Sequence, residues 1–220
     1  LRLLTGEYLQ LAIAQGDLAQ DAYDQTGIFA DEEETRGFGA VAALYTEACQ
    51  IVVRADADIQ SVEDLQGKTV SIGAEESGSE QNALQILAAY GLNDKLVDTV
   101  NLNYEDAAAQ LKAGKVDAIF ITAGAPSPVL TELAGECGIR LLNVDGAAAQ
   151  RLTSAYSAYS AVTLPAGTYP GQDTDVQTVG VKAVLLASDE LPAKQVQKLT
   201  ELLFSGREGM EEQLGIPLDA

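Results

Sequence analysis

Apolar residues recur along the chain in two kinds of run, which predict alternating strands and helices. Continuous apolar runs at 48–54 and 176–187 are typical of buried strands. Shorter apolar runs predict strands at 9–14, 69–72, 116–121 and 139–144. Helical spacing predicts helices at 1–5, 17–23, 83–90, 105–113, 129–134, 192–204 and 210–214. This alternation indicates an α/β fold.

A helix, a glycine turn, a strand and a loop occur in this order twice. Residues 4–6 and 15–16 resemble residues 112–114 and 123–124, and the glycines of each pair lie ten residues apart. The likeness reflects either an internal repeat or coincidence, since helix–glycine–strand is a common connection. If it is a repeat, two loops lie at the carboxyl ends of strands, where open α/β sheets bind ligands. These loops are Gln15-Gly16-Asp17 and Thr122-Ala123-Gly124.

The charge and residue inventory excludes several functions. With 33 acidic and 13 basic residues, the net charge of −20 argues against binding of nucleic acid or anionic membrane. The chain has no histidine and two cysteines, Cys49 and Cys137. This removes most routes to zinc sites, to histidine-activated nucleophiles and to imidazole acid–base catalysis. No catalytic residue, metal or cofactor is therefore predicted.

The turn before the helix at 83–90 is the best candidate for an anion site. Ser77 and Glu80 have the S-x-x-E spacing of a capping box, which orders the first backbone N–H groups of a helix. Such N–H groups carry the positive end of the helix dipole and bind anions. An ordinary capped helix without a ligand explains the same pattern.

The glycine spacing of residues 73–78 matches a phosphate loop, but the neighbouring residues do not. Ser79 and Glu80 stand where a phosphate loop needs Lys followed by Ser or Thr. Glu75 and Glu76 would also repel a triphosphate. The turn therefore favours one carboxylate of a small ligand over a nucleotide.

Several motifs occur in an order that resembles the TAXI family, the solute-binding subunits of TRAP transporters, over nearly the whole chain. They are the segments at 12–17, 44–47, 51–54, 64–73, 77–80, 90–92, 117–120, 165–169 and 178–181. The resemblance implies an α/β, periplasmic-binding-protein-like fold of type II, with a ligand cleft between two α/β lobes. Two crossover strands would join the lobes, at 48–54 and 176–187. Lobe one would comprise residues 1–54 plus 180–220, and lobe two residues 55–179.

The resemblance also implies ligand-binding positions. Those in lobe two would be Ser77, Gly78, Ser79, Glu80, Thr122, Ala123 and Gly124, with Tyr169 near the hinge and Gln15 and Asp17 facing them from lobe one. The serine hydroxyls and nearby N–H groups would hold a carboxylate, and Gln15 would pair with an amide or carboxyl. Glu80 or Asp17 would accept from an ammonium. Other roles stay open: Gln15 in ordering its loop, Asp17 as a helix cap and Tyr169 in the core.

The family implies a periplasmic or extracytoplasmic monomer that binds glutamate, glutamine or a related dicarboxylate or oxoacid. Its partners would be the TRAP membrane subunits. The chain departs from the family by lacking an N-terminal strand and a glycine-rich loop, so we expect lobe one to be N-terminally incomplete and the signal peptide to be absent from this chain. Two rival hypotheses are a ligand-sensing effector domain of a regulator and, with less support, an enzyme on the same fold.

Overall fold

The structure is a computed structural model, and it describes residues 1–32 and 35–218. The strands are β1 (Leu11–Gln15), β2 (Phe38–Arg54), β3 (Thr69–Ser71), β4 (Asp98–Val100), β5 (Ala118–Ala123), β6 (Ile139–Leu142), β7 (Ser160–Leu164) and β8 (Val176–Ser188). The helices are α1 (Arg2–Thr5), α2 (Gly16–Asp24), α3 (Gly78–Ala89), α4 (Tyr104–Lys112), α5 (Pro128–Cys137), α6 (Gly146–Ala155), α7 (Ala193–Ser205) and α8 (Arg207–Leu214). The predicted α/β class is confirmed.

Local sequence explains where several helices begin and end. The Asn103 side chain caps α4 by accepting a hydrogen bond from Asp106 N at 2.8 Å. Gly114 follows the end of this helix with φ +67°, a conformation that glycine adopts without strain. Pro128 is the first residue of α5, where its missing N–H costs no helical hydrogen bond.

Four elements differ from the sequence prediction, and one of them, strand β7, was not predicted. Strand β2 begins at Phe38, ten residues before the predicted start. In its first half Phe38 and Leu44 are buried, and the alanine-rich apolar run at 40–45 was not predicted as a strand. Strand β4 has three residues and was not predicted. Helix α6 was also missed, because only Ala148 and Leu152 of its alanine-rich sequence are buried.

The chain forms two compact units, and the larger comprises Glu47–Gly180. Its sheet has the order β6-β2-β5-β3-β4, in which β2 is antiparallel to β5 and β6, whereas β3 is parallel to β4 and β5. Helices α4 and α5 pack on the sheet with Val52, Ile119 and Ile121 in one buried cluster. Helix α3 packs on β5 and α6. Strand β5 is therefore enclosed by strands on both edges and by helices.

The smaller unit comprises Leu1–Thr46 and Val181–Ala220. Strand β1 is antiparallel to β8, with Leu11 opposite Ala187 and Gln15 opposite Ala183. Its core includes Leu4, Ala19, Ala22, Phe29, Phe38 and Leu186. The chain passes between the units within β2 and within β8, the two strands expected to cross between lobes. The predicted lobe boundaries at 54/55 and 179/180 stay a prediction.

Candidate functional site

A tight turn brings residue 73 against the start of α3. Gly73 has φ +102°, and a Cβ placed on it would lie 2.7 Å from the Cβ of Ser79 and 3.1 Å from the Oγ of Ser77. Glycine is therefore required here for both its backbone conformation and its lack of a side chain. The close approach fixes the turn onto the first residues of the helix.

The predicted N-cap at Ser77 is confirmed. Its Oγ accepts a hydrogen bond from Glu80 N at 3.2 Å. The Glu80 carboxylate does not complete a standard capping box, because it accepts from Glu76 N at 2.7 Å and from Asn101 Nδ2 at 2.7 Å. Both Glu80 oxygens thus order the protein's own turn, and its ligand role stays a prediction.

The side chain of Ser79 points into the protein. Its hydroxyl lies 2.5 Å from the Tyr104 hydroxyl and accepts from Thr122 N at 3.2 Å. Tyr104 in turn donates to Thr122 O at 2.8 Å. Because the single Tyr104 proton goes to this carbonyl, Ser79 donates to Tyr104. The three groups form a closed hydrogen-bond ring between α3, α4 and β5, so this hydroxyl is engaged within the protein and its ligand role stays a prediction.

Tyr104 is held in its neutral, donating form. Burial raises the pKa of its hydroxyl above the ordinary value of 10.0, and the nearby Glu47 carboxylate raises it further against the opposing effect of the Ser79 hydrogen bond. Tyr104 therefore keeps its proton at neutral pH. The ring retains one proton for each of its three hydrogen bonds.

Two backbone donors remain available at the start of α3. Among residues 1–32 and 35–218, no acceptor is paired with the N–H of Gly78 or of Ser79. These groups lie in the first turn, where the helix dipole is positive, and Gly78 is partly accessible. Anion binding by this turn stays a prediction, and its unpaired donors in the described part of the chain are backbone groups.

The 122–124 segment lies beside this helix end, and its prediction as a loop is wrong in part, because Thr122 and Ala123 are the last two residues of β5. Thr122 is buried, and its Oγ1 donates to Cys49 Sγ at 3.6 Å. Ala123 O accepts from Gln50 Nε2 at 3.4 Å, and Gly124 is partly accessible. The structure thus brings the 77–80 turn and the 122–124 loop together through the contact of Ser79 with Thr122.

Tyr169 lies in the core of the larger unit. It is 1% exposed, and its hydroxyl accepts from Ser127 N at 2.9 Å and donates to Gln50 Oε1. Burial raises the pKa of this hydroxyl. These contacts favour the core role that the sequence left open, because the buried Tyr169 hydroxyl joins Ser127 to Gln50 of β2. Its role in covering a ligand stays a prediction.

Gln15 and Asp17 belong to the smaller unit. The N-cap of α2 is Gln15, so the sequence assignment of Asp17 as N-cap is wrong. Asp17 lies in the first helical turn, where its Oδ1 accepts from Leu18 N at 2.8 Å. Gln15 Oε1 is buried without a hydrogen-bond partner in the described part of the chain. The ligand roles of both residues stay predictions.

Sequence reasoning missed the residues that order the loops. Tyr104, Gln50 and Asn101 each hydrogen-bond a predicted ligand-site segment. Gln50 was detectable as a buried amide inside the apolar run 48–54. Tyr104 and Asn101 carry no comparable signal, since their partners are distant along the chain.

The described residues also bear on metals, thiols and membranes. Within 1–32 and 35–218 no three His, Cys, Asp or Glu side chains form a potential metal site. Cys49 and Cys137 are not joined by a disulfide. No helix in these two ranges is long and apolar enough to cross a bilayer.

Comparison with known proteins identifies a family and a fold. The model of the NMT1-like family matches residues 1–216. The periplasmic aliphatic sulphonate-binding protein SsuA from Escherichia coli is similar in structure, with a TM-score of 0.57 and 19% identity. That match covers 98% of this chain and 65% of SsuA, so this chain spans less than two thirds of the protein it matches.

Two further solved structures are similar. The substrate-binding protein of an amino acid ABC transporter has a TM-score of 0.52 and 13% identity, covering 97% of this chain and 70% of that chain. A TctC solute-binding protein from Polaromonas has a TM-score of 0.51 and 16% identity, covering 94% and 69% respectively. At these identities the matches establish the fold alone. They confirm the expected α/β fold of periplasmic solute-binding proteins, and all three proteins are binding proteins.

Proposed function

The chain belongs to the NMT1-like family, and from that premise we propose that it binds a small acidic solute as the extracytoplasmic subunit of a TRAP-type transporter. Its relatives by fold bind small solutes, which supports a binding role over an enzymatic one. The TAXI subtype, the TRAP membrane subunits as partners, the periplasmic location and the monomeric state are parts of this proposal. They rest on the motif order along the chain.

The observation that carries the proposal is the pair of N–H groups on Gly78 and Ser79, which have no acceptor in the described part of the chain. They lie at the positive end of α3, beside Thr122 at the end of β5. Two adjacent backbone donors match the two oxygens of a carboxylate. The hydroxyls of Ser77 and Ser79 are engaged within the protein, so the backbone contributes the anion contact.

The proposed solutes are glutamate, glutamine, 2-oxoglutarate and related dicarboxylates. A sulfonate presents the same kind of oxygens to backbone donors, so an alkanesulfonate is a useful comparison within the screen. With a protein charge of −20, recognition of an anion depends on such local donors rather than on the overall field. Gln15 and Asp17 are the proposed contacts from the smaller unit.

Titration calorimetry of the chain with the proposed carboxylates and with an alkanesulfonate tests the proposal. We expect saturable binding of at least one carboxylate, without turnover of the bound compound. Absence of heat and of any thermal shift with all of them would overturn the acidic-solute assignment. Detectable turnover would favour the enzyme alternative.

The substitution Gly78→Pro tests the backbone contact directly, because proline lacks the N–H. Gly78 is the first residue of α3, a position that accepts proline, and Ser77 has φ −84° and ψ 158°, which suit a residue before proline. We expect this variant to fold and to lose at least about tenfold in affinity. Gly78→Ala retains the N–H and is the matched control. Equal affinities for the two variants would exclude this N–H as a ligand contact.

A further inference from the structure

One partly buried hydroxyl joins the two segments of the candidate site. Tyr104 donates to Thr122 O and accepts from Ser79, which itself accepts from Thr122 N. Ser79 is 25 positions from Tyr104 and 43 from Thr122, so the ring exists only in the folded chain. Removing the Tyr104 hydroxyl leaves Ser79 without its acceptor and Thr122 O without this donor.

We propose that Tyr104 is a positioning residue for solute binding, an inference that rests on the proposed function. The ring holds the first turn of α3 against the end of β5. The N–H groups of Gly78 and Ser79 are thereby kept at a fixed distance from the partly accessible loop at 123–124. Tyr104 acts without touching the solute. Preorganisation of this kind lowers the conformational cost of binding.

A second tyrosine, Tyr159, also hydrogen-bonds helix α3 and provides an internal control. The Tyr159 hydroxyl accepts from Asn82 Nδ2 at 2.7 Å and donates to Gln85 Oε1 at 2.7 Å. Tyr159 is buried, and these two partners lie beyond the first turn of α3. The two tyrosines therefore anchor the same helix at different places. The Tyr104 hydroxyl bonds Ser79 and Thr122 of the predicted ligand segments.

The test compares Tyr104→Phe with Tyr159→Phe. Both variants lose a hydroxyl bonded to α3, so we expect both to melt at a lower temperature than the wild type. By calorimetry with the tightest-binding carboxylate of the wild-type screen, Tyr104→Phe should bind about five- to tenfold more weakly. Tyr159→Phe should bind within about twofold of the wild type. Equal weakening by both, or unchanged binding in Tyr104→Phe, would overturn the proposal.

Ser79→Ala opens the same ring with a smaller change and serves if Tyr104→Phe does not fold. The double variant should bind no more weakly than the worse single variant, because the three groups act as a unit. Additive losses would contradict the ring.

Hydrogen exchange at the Thr122 amide makes the inference independent of any solute. We expect exchange about tenfold faster in Tyr104→Phe than in Tyr159→Phe, because Ser79 Oγ, the acceptor of the Thr122 N–H, is no longer anchored by the Tyr104 hydroxyl. If the wild type binds no compound in the screen, the proposed function fails, and this measurement alone decides the role of Tyr104. Equal exchange in the two variants would refute it.

Discussion

Strands β1 and β5 occupy comparable places in the chain but differ in how their ends are held. Each follows a helix and a glycine turn, lies antiparallel to one of the two long strands and ends at a candidate ligand loop. Strand β5 is paired on both edges and is buried through Thr122. Strand β1 pairs only with β8 among the described strands, and its Ile13 is 60% exposed.

The two strand ends therefore differ in how firmly the folded chain fixes them before any ligand binds. The end of β5 is fixed by two tyrosine hydroxyls, Tyr104 at Thr122 and Tyr169 at Ser127. The end of β1 is held by pairing with β8 and by the close approach of Gly16 to Val184. Similar local sequence thus produces one loop that is fixed by buried polar contacts and another that depends mainly on backbone pairing.

We expect the largest difference in stability between β5 and β1 from replacing one isoleucine in each strand by alanine. Ile119 in β5 is fully buried, so Ile119→Ala should lower the free energy of unfolding by about 4 kcal/mol. Ile13→Ala in β1 removes an exposed side chain and should cost less than about 1 kcal/mol. Chemical denaturation measures both. Similar losses would show that β1 is as enclosed as β5.

We expect an intermediate difference in the free energy of unfolding when Gly73 and Gly16 are each replaced by alanine. Gly73→Ala forces φ +102° on an alanine and places its Cβ 2.7 Å from Ser79 Cβ, so we expect a loss of about 2 to 3 kcal/mol. In Gly16→Ala the nearest atom, Val184 Cγ2, lies 3.2 Å from the new Cβ, and the loss should be at most about 1 kcal/mol. Thermal unfolding of both variants measures the difference. Equal losses would contradict the tight turn at Gly73.

We expect the smallest difference in stability from alkaline pH, through the ionisation of Tyr104. Burial raises the folded-state pKa of Tyr104 above 10.0, so its contribution to stability is complete below pH 10 and is lost as the pH rises from 10 through the folded-state pKa. Tyr104→Phe should therefore lose less stability than the wild type above pH 10. Tyr8 in the smaller unit is 80% exposed, and Tyr8→Phe is the control. Parallel pH profiles for the wild type and Tyr104→Phe would contradict the buried environment of this hydroxyl.

Much of the fold could be predicted because its signals are local. The apolar runs at 48–54 and 176–187 became the most buried parts of β2 and β8. Ser77 and Asn103 cap helices through contacts three residues along the chain. The first half of β2 was missed although residues 40–45 are apolar, because three of these six residues are alanine, which is uncommon in strands.

The candidate site was predicted less completely. The sequence indicated the 77–80 turn and the 122–124 loop, which the fold places in contact through Ser79. It did not indicate Tyr104, and it placed the N-cap of α2 at Asp17 rather than Gln15. A side chain that joins distant segments has no periodic pattern, so its partner appears only when the strands and helices pack.

The sequence by itself determined the α/β class, the strong buried strands, the cap at Ser77 and the absence of a histidine-based active site. These properties follow from residue type and from contacts within a few positions. Only the tertiary structure decided that the Ser79 hydroxyl is engaged by Tyr104 and Thr122 and that Tyr169 is buried against Gln50 and Ser127. The physical reason is that burial selects hydrogen-bond partners in space, and residues 25 to 119 positions apart meet only after the core has formed.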